Sequence, residues 1–153
     1  MNTDEYKLHV ACIDYIRGQV RHGNKTYPVT RPFPALYSPE GKQRFTHIYQ
    51  GRNEDEGFHL KQMGLRPGIS DLMLWPGFLG FIDFKVHTEL SRDQAQFFRD
   101  VGLIGAKTAT ATSREEFRDT LISWGLECIN PTIQPPKPTR AQIDQGLMEM
   151  HRR

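Results

Sequence analysis

Residues 70 to 86, SDLMLWPGFLGFIDFKV, constrain the fold most, because a Pro-Gly turn separates two apolar runs of strand length. This pattern predicts a β-hairpin built from DLMLW and FIDFKV. Three charged residues, Asp71, Asp83 and Lys85, interrupt the apolar pattern. Side chains alternate across a strand, so Asp83 and Lys85 share one face and the apolar residues next to them face the core. The hairpin is therefore predicted to carry a core face and a charged face.

The charged face has the residues of a metal site. Asp71 stands at the start of the first predicted strand, where the hairpin brings it beside Asp83. Two such carboxylates repel each other, which raises the free energy of the ionised pair. A divalent cation bound between them removes this cost. Carboxylate oxygens with water are ligands that Mg²⁺ and Mn²⁺ prefer, and Lys85 can position an attacking water or stabilise charge on a phosphate. The residues fit metal-assisted phosphodiester hydrolysis, although a solvated strand face with Asp71 in a turn stays open as an alternative.

The rest of the chain alternates helical and strand patterns. Helical spacing predicts a helix over residues 4 to 17, and RFTHIYQ, residues 44 to 50, predicts a strand. Asn53 can cap a short helix. The capping-box sequences SRDQ and SREE, which begin at Ser91 and Ser113, predict two more helices. GAKTATAT between them predicts an exposed or edge strand. The predicted order is α-β-α-β-β-α-β-α, an α/β fold.

Length and proline content indicate the domain organisation. A chain of 153 residues is about one domain long. We predict a domain over residues 1 to 130, with a proline-rich, irregular excursion over residues 28 to 43. Residues 131 to 153 are predicted to form a proline-rich arm with a short helix from Thr139.

Charge and cysteine content limit the cellular setting more than the function. The net charge of +2 excludes no partner, but residues 17 to 66 carry nine Lys or Arg and four acids, while residues 67 to 136 carry six and nine. A basic segment before an acidic one suits a metal-dependent enzyme on a phosphate polymer, and it also suits an ordinary charged surface. Two distant cysteines and no signal or membrane segment predict a soluble, cytoplasmic protein, of cellular or phage origin.

The combined motifs resemble those of a known family. The sequence GLRPGISD, followed by a turn and IDFK, resembles the PD-(D/E)XK nuclease signature, and more narrowly that of the VRR-NUC family. The resemblance runs from His47 in FTHIYQ to the SREEFRDTLISWG segment, which is about half of the chain in the family's order. It implies a restriction-endonuclease-like core, in which helices flank a mixed central β-sheet.

The resemblance also implies roles for individual residues. Asp71 and Asp83 would be metal ligands, the main-chain carbonyl of Phe84 a further ligand, and Lys85 the catalytic lysine. Gln94 matches the glutamine of the family's LSxxQ segment, where it could steady the lysine or contact DNA.

Two of these roles have structural alternatives. Gln94 is equally suited to be the capping-box partner of Ser91. Glu5 resembles the acid that many members of the superfamily place near the metal on the first helix, and it also fits ordinary stabilisation of a helix N-terminus.

The sequence departs from the family pattern at three places. Ser70 replaces the usual proline before the first aspartate, and Asp83 replaces the commoner glutamate. Residues 86 to 89, VHTE, lack the glycine that usually precedes LSxxQ, which puts the DNA contacts of this loop in doubt. None of these changes removes a metal ligand.

Four residues are candidate nucleic-acid contacts. His47 matches a position of the family series, and the nearby cations could contact phosphates; these are Arg44, Arg52 and Arg66. A structural histidine and a charged, solvated surface are the alternatives.

The sequence thus predicts a Mg²⁺- or Mn²⁺-dependent DNA endonuclease. A domain of this size has little protein left for reading base sequence, so we expect selection for branched DNA such as a four-way junction. Symmetric cutting of two strands predicts a homodimer. A non-catalytic DNA-binding or partner-docking module on a degenerate nuclease fold, a small structural α/β protein, and an RNA substrate remain alternatives.

Overall fold

The computed structural model describes residues 3–51 and 53–152, and these residues divide into two compact units. The first unit contains the described residues before Ala35 and those from Ser113 onward, and the second is the continuous segment Ala35–Thr112. In chain order the elements are α1 (Thr3–Arg17), β1 (Gln19–His22), β2 (Lys25–Pro28), a 3-10 helix (Pro34–Leu36), β3 (Phe45–His47), α2 (Glu54–Gln62), β4 (Leu72–Leu74), β5 (Gly80–Phe84), α3 (Arg92–Leu103), β6 (Lys107–Ala111), α4 (Arg114–Ser123) and α5 (Arg140–Arg152).

The first unit begins with the predicted helix, α1, and then forms a hairpin that the sequence analysis missed. The left-handed φ of 68° at Gly18 ends the helix, and a Cβ there would lie 2.7 Å from the carbonyl oxygen of Val29. Strands β1 and β2 then pair antiparallel around a two-residue Gly23-Asn24 loop. A Gly-Asn pair between two strand-length segments is a known hairpin signal.

Helices α4 and α5 complete the first unit. Ser113 caps α4 as its sequence predicts, and this helix buries Phe117 and Leu121. The helix expected from Thr139 is confirmed as α5. Thr139 and Gln142 each donate a backbone N–H to the other's side chain, at 2.8 and 3.3 Å, so α5 starts with a capping box.

The second unit contains a four-stranded mixed sheet of order β3-β4-β5-β6, which confirms the predicted fold class. Strands β3, β4 and β5 pair antiparallel, and β5 and β6 pair parallel through the crossover helix α3. The predicted hairpin is β4–β5, and the Thr-rich segment is the edge strand β6. Large apolar side chains in the sheet are fully buried; they are Phe45, Leu72, Leu74, Ile82 and Phe84.

Local signals set the ends of the helices in this unit. Asn53 accepts a hydrogen bond from the backbone N–H of Glu56 at 2.9 Å, which starts α2 as predicted. Ser91 starts α3, whose Phe97 ring meets Phe81 of β5 edge to face, 5.0 Å between centroids. The irregular segment expected over residues 28 to 43 contains only the end of β2, the 3-10 helix and a single bridge to residue 43. Within residues 3–51 and 53–152, no helix has the length and hydropathy of a membrane span.

Candidate metal centre

The β4–β5 hairpin brings Asp71 and Asp83 together. Leu72 lies opposite Ile82 in the antiparallel register, so the next residue pair outward is Asp71 and Asp83. Oδ2 of Asp71 accepts the backbone N–H of Phe84 at 2.9 Å, and Oδ1 of Asp83 accepts the backbone N–H of Asp71 at 3.3 Å. Because the Asp71 side chain takes a strand N–H, it is anchored at the point where β4 begins. Both carboxylates are buried, at 8% and 1% exposure.

One carboxylate oxygen of this pair has no hydrogen-bond partner among the described residues. Oδ2 of Asp83 is buried and accepts no hydrogen bond from the described residues. Nζ of Lys85 lies 3.3 Å from it, an ion pair without hydrogen-bond geometry. The Lys85 side chain is itself only 13% exposed, and its backbone N–H donates to the carbonyl of Ala111 in β6 at 3.0 Å. The structure therefore gathers two acids and one amine at the end of two adjacent strands.

Burial controls the protonation of Asp83. Desolvation first, and the Asp71 carboxylate second, raise the pKa of Asp83 to about 7, against the opposing effect of the Lys85 ammonium. The surroundings of Asp83 therefore favour its protonated form. A divalent cation held by the two carboxylates would offset both effects, because it would replace lost hydration and screen the repulsion between them.

The donor set fits a hard divalent cation that keeps several waters. Among the described residues, no cluster of three or more His, Cys, Asp and Glu side chains could hold a metal. A site with two carboxylates suits Mg²⁺ or Mn²⁺, which are commonly bound by one or two protein carboxylates and water. The buried Oδ2 of Asp83 is an available ligand atom for such an ion. Phe84 gives its N–H to Asp71, and the metal role implied for its carbonyl stays a prediction.

Side chains outside the hairpin hold the segment that carries Asp71. Nε2 of Gln50 donates to the carbonyl of Ile69 at 2.7 Å, and Oγ of Ser70 donates to the carbonyl of Ile82 at 2.6 Å. Nδ1 of His47 lies 3.0 Å from the carbonyl oxygen of Asp71. Because a carbonyl oxygen can only accept, the Nδ1–H group donates this hydrogen bond. Sequence analysis missed Gln50 and noted Ser70 only as a departure from a pattern.

The other candidate residues occupy several environments. Gln94 forms the capping box: its Oε1 accepts the backbone N–H of Ser91 at 2.9 Å. Arg66 forms an ion pair with Asp100 at 2.6 Å, and its guanidinium lies 5.8 Å from the centroid of the Phe97 ring. The structure thus gives Gln94 and Arg66 contacts on α3, and the roles implied for them in catalysis and DNA binding remain predictions.

Three further candidates were predicted to bind DNA or the metal. Nη1 of Arg44 is 3.5 Å from the carbonyl oxygen of Ala35, in the second unit. Glu5 is buried on α1, in the first unit, and Arg52 lies outside the described residues. The binding roles of Arg44, Glu5 and Arg52 stay predictions.

Comparison with known proteins supports the fold. A solved structure described as a VRR_NUC domain protein is similar to this chain, with a TM-score of 0.56 and 12% sequence identity. The similarity covers 88% of this chain and 99% of that chain. No protein-family model matches this sequence, and neither does any curated protein. The resemblance to VRR-NUC is therefore supported at the level of the fold.

Proposed function

We propose that this protein is a Mg²⁺- or Mn²⁺-dependent endonuclease that hydrolyses phosphodiester bonds in DNA. The observation that carries the proposal is the buried Oδ2 of Asp83, which accepts no hydrogen bond within residues 3–51 and 53–152, while Asp71 and Lys85 lie beside it. A buried carboxylate next to a second one lowers the stability of the folded state, and a purely structural protein gains nothing in return. The same arrangement is useful in an enzyme that binds a cation there.

The side chains of the site have distinct tasks in this reaction. Asp71 and Asp83 hold the ion. When bound, the ion supplies Lewis-acid chemistry, polarising a phosphoryl oxygen and lowering the pKa of the attacking water. The Lys85 ammonium, held near Asp83, orients that water or stabilises the negative charge that develops on the phosphate. The amide Nε2 of Gln94 contacts a DNA phosphate, while its Oε1 remains in the capping box.

The proposed substrate is branched DNA, such as a four-way junction or a flap. The chain is short, and its basic residues, including Arg44, Arg52 and Arg66, suit contacts with phosphates better than a reading of base sequence. Symmetric cutting of a junction requires two active sites, so we propose that the active form is a homodimer.

Cleavage of a labelled panel tests the proposal. The panel contains a four-way junction, a flap, a single strand and a plain duplex, each incubated with Mg²⁺, Mn²⁺ or EDTA. We expect metal-dependent cutting of the branched substrates, its loss in Asp83→Asn and Lys85→Ala, and its retention in Glu89→Gln, which changes an exposed acid of the same unit.

Other outcomes would replace the proposal. Binding of these DNAs without cutting by the wild-type protein would identify a DNA-binding module on a nuclease fold. Equal cutting by wild type and Asp83→Asn would show that the observed nuclease does not use this site.

A further inference from the structure

Side-chain hydrogen bonds hold the three residues before β4, which are Ile69, Ser70 and Asp71. Gln50 donates to the carbonyl of Ile69, His47 donates to the carbonyl of Asp71, and the hydroxyl of Ser70 donates to the carbonyl of Ile82 across the hairpin. We call Gln50, His47 and Ser70 the brace. The backbone N–H of Ile48 also donates to the Asp71 carbonyl, at 3.0 Å.

The brace acts where the regular ladder of the hairpin ends. The paired register of β4 and β5 covers Leu72 to Leu74 on one strand and Gly80 to Ile82 on the other. Asp71 lies just beyond it. There the Asp71 side chain, rather than a main-chain carbonyl, takes the N–H of Phe84. Without the ladder, the position of Asp71 depends on the other bonds made by residues 69 to 71.

The Ser70 bond is the most deeply buried member of the brace. Ser70 is 1% exposed, and its hydroxyl lies 2.6 Å from the Ile82 carbonyl, one residue before Asp83. The bond therefore links the residue before Asp71 to the residue before Asp83. A bond at this position would limit how far the two aspartates can move apart, against the repulsion between their carboxylates.

We propose that Ser70 and Gln50, together with His47, are positioning residues that hold Asp71 against Asp83 before a metal ion arrives. The metal part of this inference rests on the proposed function. Ligands held in place in advance bind a cation more tightly, because less order must be created on binding. Outer residues that orient metal ligands typically change affinity by about 10- to 100-fold when they are removed.

The experiment uses two variants and a matched control. Ser70→Ala and Gln50→Ala each remove one donor of the brace and introduce a smaller side chain. The control is Gln43→Ala, which removes an amide that also donates to a main-chain carbonyl, that of Phe45 at 2.9 Å, in the same unit but outside residues 69 to 71.

The first measurement is amide hydrogen exchange in the metal-free protein. We expect the Phe84 N–H, which donates to Asp71, to exchange about tenfold faster in both brace variants, in line with the loss of one hydrogen bond. The Leu74 N–H, at the other end of the paired register of β4 and β5, should exchange at its wild-type rate. Equal acceleration at both amides would indicate general destabilisation and would overturn the proposal, as would no change at Phe84.

The second measurement is the Kd for Mn²⁺ by titration calorimetry. We expect it to rise about tenfold in Ser70→Ala and Gln50→Ala, and to stay at the wild-type value in Gln43→Ala. An unchanged Kd in the brace variants would overturn the role of the brace in metal binding. If the wild-type protein binds no Mn²⁺, the metal-dependent function is refuted, and the exchange of the Phe84 amide still decides whether the brace positions Asp71.

Discussion

The side chains of Asp71 and Asp83 each accept a hydrogen bond from the backbone of the opposite strand. The N–H of Asp71 donates to Oδ1 of Asp83 at 3.3 Å. The N–H of Phe84, the residue after Asp83, donates to Oδ2 of Asp71 at 2.9 Å. The two carboxylates are therefore close because backbone donors hold one oxygen of each. Burial first, and the neighbouring Asp71 carboxylate second, raise the pKa of Asp83 to about 7.

The stability of the metal-free protein should fall as pH rises toward neutrality. The folded pKa of Asp83, about 7, lies above the usual value for aspartate, so folding favours the protonated form. The contribution of Asp83 to the free energy of unfolding is fully present below pH 4 and is lost as pH rises through 7. The free energy of unfolding should fall by at most about 1.4 kcal/mol per pH unit. Urea unfolding in EDTA at pH 5 and pH 8 measures it.

The Asp83→Asn variant is the control for this pH dependence. It keeps the size of the side chain and removes its titration, so the difference in unfolding free energy between pH 5 and pH 8 should be smaller than in the wild type. An identical difference in the two proteins would mean that Asp83 does not titrate in this range.

Replacing Lys85 with methionine should separate cleavage from metal binding. The Lys85→Met change keeps much of the apolar stem and removes the ammonium 3.3 Å from Asp83. We expect cleavage to fall at least about 100-fold, as for the loss of a group that acts on the reacting atoms, while Mn²⁺ binding is retained because both carboxylates remain. The pH midpoint of the stability change should also move upward, since Lys85 lowers the pKa of Asp83. Loss of Mn²⁺ binding in this variant would contradict the assignment.

A Cβ at Gly68 should destabilise the second unit. Gly68 has a φ of 80°, and a Cβ there would lie 2.5 Å from the Cβ of Asp93 at the start of α3. We expect Gly68→Ala to lower the free energy of unfolding by about 2–4 kcal/mol, from backbone strain and overpacking together. Gly64→Ala is the matched control. Gly64 has a φ of 106° and no described atom within 4 Å of a Cβ, so it should lose only about 1 kcal/mol from strain. Equal losses in urea unfolding would argue against the close approach to α3.

Gln94 can be tested without damage to its helix cap. Glutamate also serves as the third residue of a capping box, so Gln94→Glu should keep the stability of α3, whereas Gln94→Ala should lose about 1 kcal/mol. The glutamate variant removes the Nε2 donor proposed to contact DNA. We expect its KM for DNA to rise roughly tenfold, the effect of one hydrogen bond to a charged group. Wild-type KM values in both variants would leave the cap as the role of Gln94.

Local signals predicted most of the second unit. The two apolar runs around Pro76-Gly77 predicted β4 and β5, and the caps at Asn53 and Ser91 predicted where α2 and α3 begin. Each of these features depends on residues a few positions apart, so a single sequence displays them. The position of Asp71 opposite Asp83 followed from the same hairpin.

Contacts between distant residues were not predictable in this way. Gln50 reaches Ile69, 19 residues later, and nothing in the sequence marks the pair. In the first unit, the hydroxyl of Tyr15 donates to the carbonyl of Asn130 at 3.0 Å across 115 residues. The β1–β2 hairpin is a different case, because its Gly23-Asn24 loop was visible. No hairpin was predicted there.

The division of the chain has a consequence for the order in which the protein can fold during its synthesis. Residues before Ala35 leave the ribosome first, but the unit to which they belong also needs the segment from Ser113 onward. The intervening segment, Ala35–Thr112, holds Asp71, Asp83 and Lys85 in one continuous stretch. Because domains generally fold as units while synthesis proceeds, the β4–β5 hairpin with its two aspartates can form before the residues that complete the core around helix α1 have been synthesised.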